Sequence, residues 1–156
     1  MKRTALVYFV AFLIGAASCV PIYWGDAAGY FSTSDPSAAD EILVLVNRER
    51  QKNGLPPVAG DPALSAIAQG HAEDMAMRGY FSHTSPEGED LFERLTGACV
   101  SYRRAAENIA WGYSSPTSLV RGWMNSSGHR KNILGDFTKV GIGTYRGYCV
   151  LVLIRE

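Results

Sequence analysis

An α+β fold, with helices laid over an antiparallel sheet, is what this 156-residue sequence predicts. Helix-period stretches fill the first two-thirds of the chain, β-rich runs close it, and there is no regular βαβ alternation.

The first helix is read over "AADEILVLVNRERQKNG". Ser37 stands at its start as a cap, Ile42, Leu45 and Val46 fall on one stripe, and Gly54 is the stop. "LPPV" then forces an extended connection. Asp61 caps and Pro62 opens a second helix, whose buried face is Leu64, Ile67, Ala68, His71, Ala72 and Met75, with Gly79 ending it. "YFSHTSPEGED" is a loop that carries His83, and "EDLFERLTG" is a short helix. "AAENIAWG" reads as a strand with a carboxylate, Glu107, inside an apolar run. Ser115 caps the helix "PTSLVRGWM", after which the chain turns at Gly128 into a last helical stretch ended by Gly135. Two β-rich runs around "YRG" make a C-terminal hairpin.

Fifteen basic residues balance fifteen acidic ones, and no basic block exceeds Arg103 and Arg104, so the sequence excludes a nucleic-acid or polybasic membrane footprint. The N-terminus differs. Lys2 and Arg3 precede an uncharged run from Thr4 to Gly25, as in an export signal, which sets residues 1–18 as a signal peptide or N-terminal membrane anchor. Residues 19–36 follow as a tether and 37–156 as the folded domain. Three outcomes stay open: cleavage with lipid attached to Cys19, a plain signal-peptidase cut, or an uncleaved anchor. All three put the domain outside the cytoplasmic membrane, touching it through the N-terminus alone. Lipidation of Cys19 leaves Cys99 and Cys149, which an oxidising compartment permits to pair; two buried reduced thiols are the alternative.

Only three histidines are present. His71 shares a face with apolar residues and reads as a core histidine satisfied by a buried acceptor. His83 and His129 sit at loop or turn positions. With Glu107 they offer two imidazole nitrogens and a carboxylate, donors that suit a zinc-like divalent ion. Spacing alone does not bring them together, and HExxH, paired CxxC and an acidic calcium loop are all missing from the sequence. A serine hydrolase built from Ser82, Ser126 or Ser127 lacks a GxSxG elbow. Ser126 and Ser127 read instead as caps for the turn that carries His129.

Taken together, "HAEDMAMRGYFSHTSPEG", "AENIAWGY", "RGWMNSSGHRKNIL" and "VGIGTY" resemble the successive motifs of the CAP superfamily, the cysteine-rich secretory, antigen 5 and pathogenesis-related proteins, in its compact prokaryotic form. The resemblance implies an α-β-α sandwich with a central antiparallel sheet and a cleft where histidines and acids gather. On this chain His83 matches the first histidine, Glu107 the first acid and His129 the second histidine. Ser126 stands where a second acid is expected, so the full acid/base set is not carried over. Arg130 and Asn132 are expected to brace the turn that presents His129, and Asn108 to satisfy backbone groups of a neighbouring loop. The resemblance implies a secreted or membrane-tethered binding domain for a divalent metal, a lipid or another small molecule, or an extracellular protein. The alternatives are a metal-assisted hydrolase using His83, Glu107 and His129, with Glu107 as acid/base, and a structural envelope protein.

Overall fold

The computed structural model describes residues 36–156. The expectations for the leader, the tether and Cys19 fall outside the described residues.

Helix α1 (Pro36–Lys52) begins one residue before the expected cap, so Ser37 lies in its first turn. Its buried stripe repeats every fourth residue through Ala38, Ile42 and Val46, and then places Arg50 at the same station. Helix α2 (Pro62–Arg78) starts as the sequence predicts: the Asp61 carboxylate accepts from the backbone N–H groups of Ala63 and Leu64, and Gly79 ends the helix in the left-handed region. Asp90 caps α3 (Leu91–Gly97) in a capping box with Glu93. Strand β2 (Arg104–Trp111) leads to α4 (Pro116–Asn125), capped by Ser115, and α5 (Ser127–Ile133) follows after a break at Ser126. Strands β3 (Lys139–Tyr145) and β4 (Tyr148–Arg155) form the expected hairpin, with Arg146 and Gly147 both at positive φ in the two-residue turn.

A short strand β1 (Ala59–Gly60) was not expected; it pairs in parallel with β3 and completes a sheet of order β1-β3-β4-β2. Apart from that edge the sheet is antiparallel, with Glu107 opposite Val152 across β2 and β4. Alternation along β4 separates two cores. Cys149, Leu151 and Leu153 pack with Ile42, Val46, Leu119 and Trp123 on one face. Val150, Val152 and Ile154 pack with Leu64, Ala68, Met75 and Leu95 on the other. The three layers are therefore α1/α4/α5, sheet, and α2/α3.

Two contacts hold this sandwich closed. On one face, α2 rests directly on β3. A Cβ at Gly141 would lie 2.0 Å from the Leu64 carbonyl carbon, and one at Gly143 would lie 2.2 Å from the Gln69 nitrogen. Gln69 Oε1 also accepts from the Thr144 N–H at 2.9 Å, joining helix to strand. On the other face, the guanidinium of Arg50, almost wholly buried, donates to four carbonyls: Pro56 (2.9 Å), Ile133 (2.8 Å), Gly135 (2.9 Å) and Phe137 (3.2 Å). Buried carbonyls that α5 and the following loop would otherwise leave without donors are satisfied in this way.

The structure corrects the cysteine pairing: Cys99 and Cys149 are free. Cys149 points into the α1/α4/α5 core, whereas Cys99 is exposed just past α3, on the other side of the sheet. A disulfide would have to pass through the sheet.

Gly143→Ala is expected to lower stability by about 3 kcal/mol or more, because neither backbone can yield without moving a whole element. Urea unfolding checks this, and an unchanged midpoint would contradict the close approach.

Candidate functional site

Glu107 lies at the middle of β2 on the face toward α2, with its side chain only 4% exposed. Burial of a carboxylate is costly unless its oxygens are satisfied, and here both are. Oε2 accepts from Arg94 Nη2 at 2.9 Å, and Oε1 lies 2.8 Å from His83 Nδ1. Arg94 comes from the last turn of α3 and also donates to the carbonyls of His83 (3.2 Å) and Glu89 (3.1 Å), so it binds the His83 loop as well as the acid. Because the carboxylate only accepts, Nδ1 of His83 donates to it, and in the neutral ring this leaves the lone pair on Nε2. The His83 side chain is 57% exposed.

His71 approaches from α2. Its Nε2 lies 3.0 Å from the Ser82 carbonyl and 4.0 Å from Glu107 Oε1. As expected, it is a core histidine with an acceptor for its ring nitrogen, although that acceptor belongs to the exposed loop that presents His83 rather than to the core. Burial, and secondarily the positive charge of Arg94, push its pKa below the usual histidine value against the opposing pull of Glu107, Ser82 and Asp74.

The opposite face of β2 holds α5. Asn108, fully buried, donates from Nδ2 to the His129 carbonyl at 3.1 Å. Asn132 Nδ2 donates to Asn108 Oδ1 (2.9 Å) and to the Glu107 carbonyl (3.1 Å). These two asparagines seat the helix turn that carries His129. Arg130 is exposed, and among the described residues its side chain makes no bond to that turn, so the expected support comes from Asn108 and Asn132. The break between α4 and α5 falls at Ser126 rather than Gly128. Gly128 and His129 lie within α5, and Ser126 makes no side-chain cap bond. The expected serine cap is thus absent, because the short helix α5 is held from the strand side.

His129 is partly buried, and burial followed by the charge of His83 lowers its pKa. Glu107 and His83 meet directly, whereas His129 is linked to His83 only through that electrostatic influence. Among the described residues, no group of three or more histidine, cysteine, aspartate or glutamate side chains is arranged to hold a metal ion. Glu107 is turned to Arg94 and His83, so the available donor set consists of imidazole nitrogens, with the carboxylate orienting one of them. Sequence reasoning missed Arg94; its one signal was the buried acid itself, which requires a cation.

Two measurements test this geometry. In unfolded chain His71 protonates near its ordinary value, whereas in the fold it does so only at lower pH. The unfolded state therefore binds more protons just below about pH 6.5, and stability must fall as pH drops through that range and then level off. His71→Gln, which keeps a donor for Ser82, is expected to reduce that slope below about pH 6.5, leaving the part that comes from His129, as read by thermal unfolding across pH. Arg94→Met, which strands Glu107, is expected to cost about 3–5 kcal/mol, and adding Glu107→Gln should recover part of the loss. Additive losses in the double-mutant cycle would contradict direct pairing.

Comparison with known proteins places the fold and the motifs together. The family model for CAP, the cysteine-rich secretory protein family, matches residues 43–153. YkwD of Bacillus subtilis (strain 168), an uncharacterised protein, is 43% identical over 117 residues, covering 72% of this chain and 46% of its own length. YlbC of the same organism, an uncharacterised membrane protein, is 42% identical, covering 74% of this chain and 34% of its own. The chain thus spans less than half the length of either relative. Among solved structures, an extracellular protein containing an SCP domain from Bacillus anthracis str. Ames superposes with a TM-score of 0.75 at 38% identity, over 77% of this chain and 41% of that one. An outer surface protein of Borrelia burgdorferi shares the fold, with a TM-score of 0.74 at 18% identity over 80% of this chain and 98% of that one. With its motifs matched in order along one sandwich, this chain belongs to the CAP (cysteine-rich secretory protein) family.

Proposed function

We propose that this domain works outside the cytoplasmic membrane as a binding module, taking a divalent metal ion or a small ligand between His83 and His129. The observation that carries the reading is the fixed tautomer of a solvent-facing imidazole: Glu107, itself held by Arg94, occupies Nδ1 of His83 and leaves Nε2 outward. Such a carboxylate-oriented histidine is the usual second-layer arrangement behind a nitrogen ligand. The lowered pKa of His129 supports it, since a neutral imidazole is the binding form. An ion held by two imidazoles would complete its coordination with solvent.

Beside this site, Phe81 and Trp111, both about half exposed, flank Tyr148, with ring centroids 6.3 and 5.6 Å from its own. These rings offer an apolar wall to an organic ligand, lipid included. The hydrolase reading needs Glu107 to take a proton from water, yet both of its oxygens already accept from protein donors, so binding is the better supported role. Location outside the membrane rests on the uncharged N-terminal run and on the extracellular, outer-surface and membrane labels of similar proteins. Among the described residues no helix is long and apolar enough to cross a membrane.

Calorimetric titration of the domain with zinc tests the proposal. One-site binding is expected in the original chain, weakened by about tenfold or more in both His83→Ala and His129→Ala while their unfolding midpoints hold. Binding that survives both substitutions, or no binding at all, would overturn the metal reading.

A further inference from the structure

Strand β2 stands at the edge of the sheet, with β4 on one side and no strand on the other among the described residues. The two-residue turn makes Tyr145 and Tyr148 a hydrogen-bonded pair, so Cys149 and every second residue after it bond to β2 instead. Through the β2/β4 register this gives the even-numbered residues of β2 to β4, in line with the Gly112 N–H, which donates to the Gly147 carbonyl at 3.2 Å. The main-chain groups of Glu107, Ile109 and Trp111 therefore point away from the sheet. Two of those carbonyls are met from the α4/α5 layer: Asn132 Nδ2 donates to Glu107 (3.1 Å) and Trp123 Nε1 to Ile109 (3.4 Å). The three N–H groups are not met. No strand, loop carbonyl or side chain among the described residues accepts from them.

This edge is recessed but not sealed. Glu107 as a whole is 8% exposed against 4% for its side chain, so its main chain is the more open part. On one flank stands the loop that carries Phe81 and His83, and on the other stands α5, which carries His129. The floor between them lacks acceptors at every second residue, about 6.8 Å apart, which is the repeat of alternate carbonyls along an extended chain. A second copy of this domain does not supply them, because its own β2 lies equally deep between two layers and two recessed edges cannot meet. A bare segment without flanking helices can enter.

We propose that the open edge of β2 takes an extended peptide segment as a fifth strand, whose alternate carbonyls accept from the N–H groups of Glu107, Ile109 and Trp111. Side chains of paired residues share a face. The peptide residue opposite Glu107 thus lies beside His83, and the one opposite Trp111 lies against that ring and the neighbouring Tyr148 and Phe81. An apolar or aromatic side chain at the second station, four residues from the first, is the preferred sequence feature. This site shares the cleft of the binding role proposed above and rests on that reading for its place, yet it works through main-chain donors and needs no metal.

The test is an NMR titration of the domain, with chelator present, against acetyl-Thr-Val-Thr-Thr-Thr-Phe-Thr-amide and against the same peptide N-methylated at every residue, which cannot lie along a strand edge. Saturable shifts of the Glu107, Ile109 and Trp111 amide resonances are expected, with exchange of those hydrogens slowed about tenfold or more at saturation, and no such response to the methylated peptide. Trp111→Val keeps the outward N–H, whereas Trp111→Pro removes it at a strand end where proline is tolerated. Both lose the ring, and affinity is expected to fall about threefold or more further in Trp111→Pro. No saturable response at millimolar peptide, an equal response to the methylated form, or equal affinity of the two variants would each overturn the proposal. Self-association of the domain through β2 in place of peptide binding, read by sedimentation, would assign the edge to a second copy and overturn it as well. The chelator removes metal from this measurement, so failure here and failure of the zinc titration at His83 and His129 are separate results.

Discussion

The seat of α2 on β3 is the constraint on which the site depends. With hydrogen in place of side chains at Gly141 and Gly143, the helix backbone comes down onto the strand near Leu64 and Gln69. The remaining turns of α2 then lie over β4 and β2, which brings His71 to within 4.0 Å of Glu107 and ends the helix where the loop must double back. A larger residue in either glycine position would lift the helix, and the His71 ring would lose the Ser82 carbonyl along with its place beside the acid. Packing several residues away thus sets the reach of the loop that carries His83.

Glu107 gives the site its charge logic. A strand residue has two faces and a backbone, and this one uses its side chain to bind Arg94 and His83 on one face, while its carbonyl accepts from Asn132 on α5. Its neighbour Asn108 faces the other layer and holds the His129 carbonyl. Consecutive residues of one strand therefore register the two histidine-bearing segments against each other. No covalent link or metal is needed for that registration, because the sheet itself fixes the spacing.

Much of this was legible in the sequence. Asp61, Pro62 and Gly79 marked α2, and the periodicity of Leu64, Ala68 and Met75 gave its buried face, because caps and apolar stripes are local signals. The order of elements gave helices over an antiparallel sheet, and the family resemblance implied the three layers. His83, Glu107 and His129 emerged from family motifs, while their residue types alone left a structural brace open. The remaining features were encoded non-locally. The β1 pairing with β3 spans two residues, too few for any pattern to register. Arg94 sits in a short helix of mixed charge, and nothing in its neighbours indicates that it turns inward toward a strand still to come. The cysteine pairing failed because parity counts thiols and ignores which side of a sheet each one faces.

Arg50 has a mechanical consequence. The chain preceding the domain joins it through α1, so any pull from an attachment at that end is delivered along this helix. The guanidinium couples α1 by four bonds to carbonyls near Pro56 and at Ile133, Gly135 and Phe137, which lie far along the sequence and lead directly into β3. Sliding α1 out would break those bonds together and carry a bare cation through an apolar interior, so the resistance is concentrated in one brittle step rather than spread over gradual peeling. A domain held at its N-terminal end against flow or a moving envelope would bear load through this clasp, which grips the end of α5, so His129 stands closer to the line of force than Glu107 and His83 do.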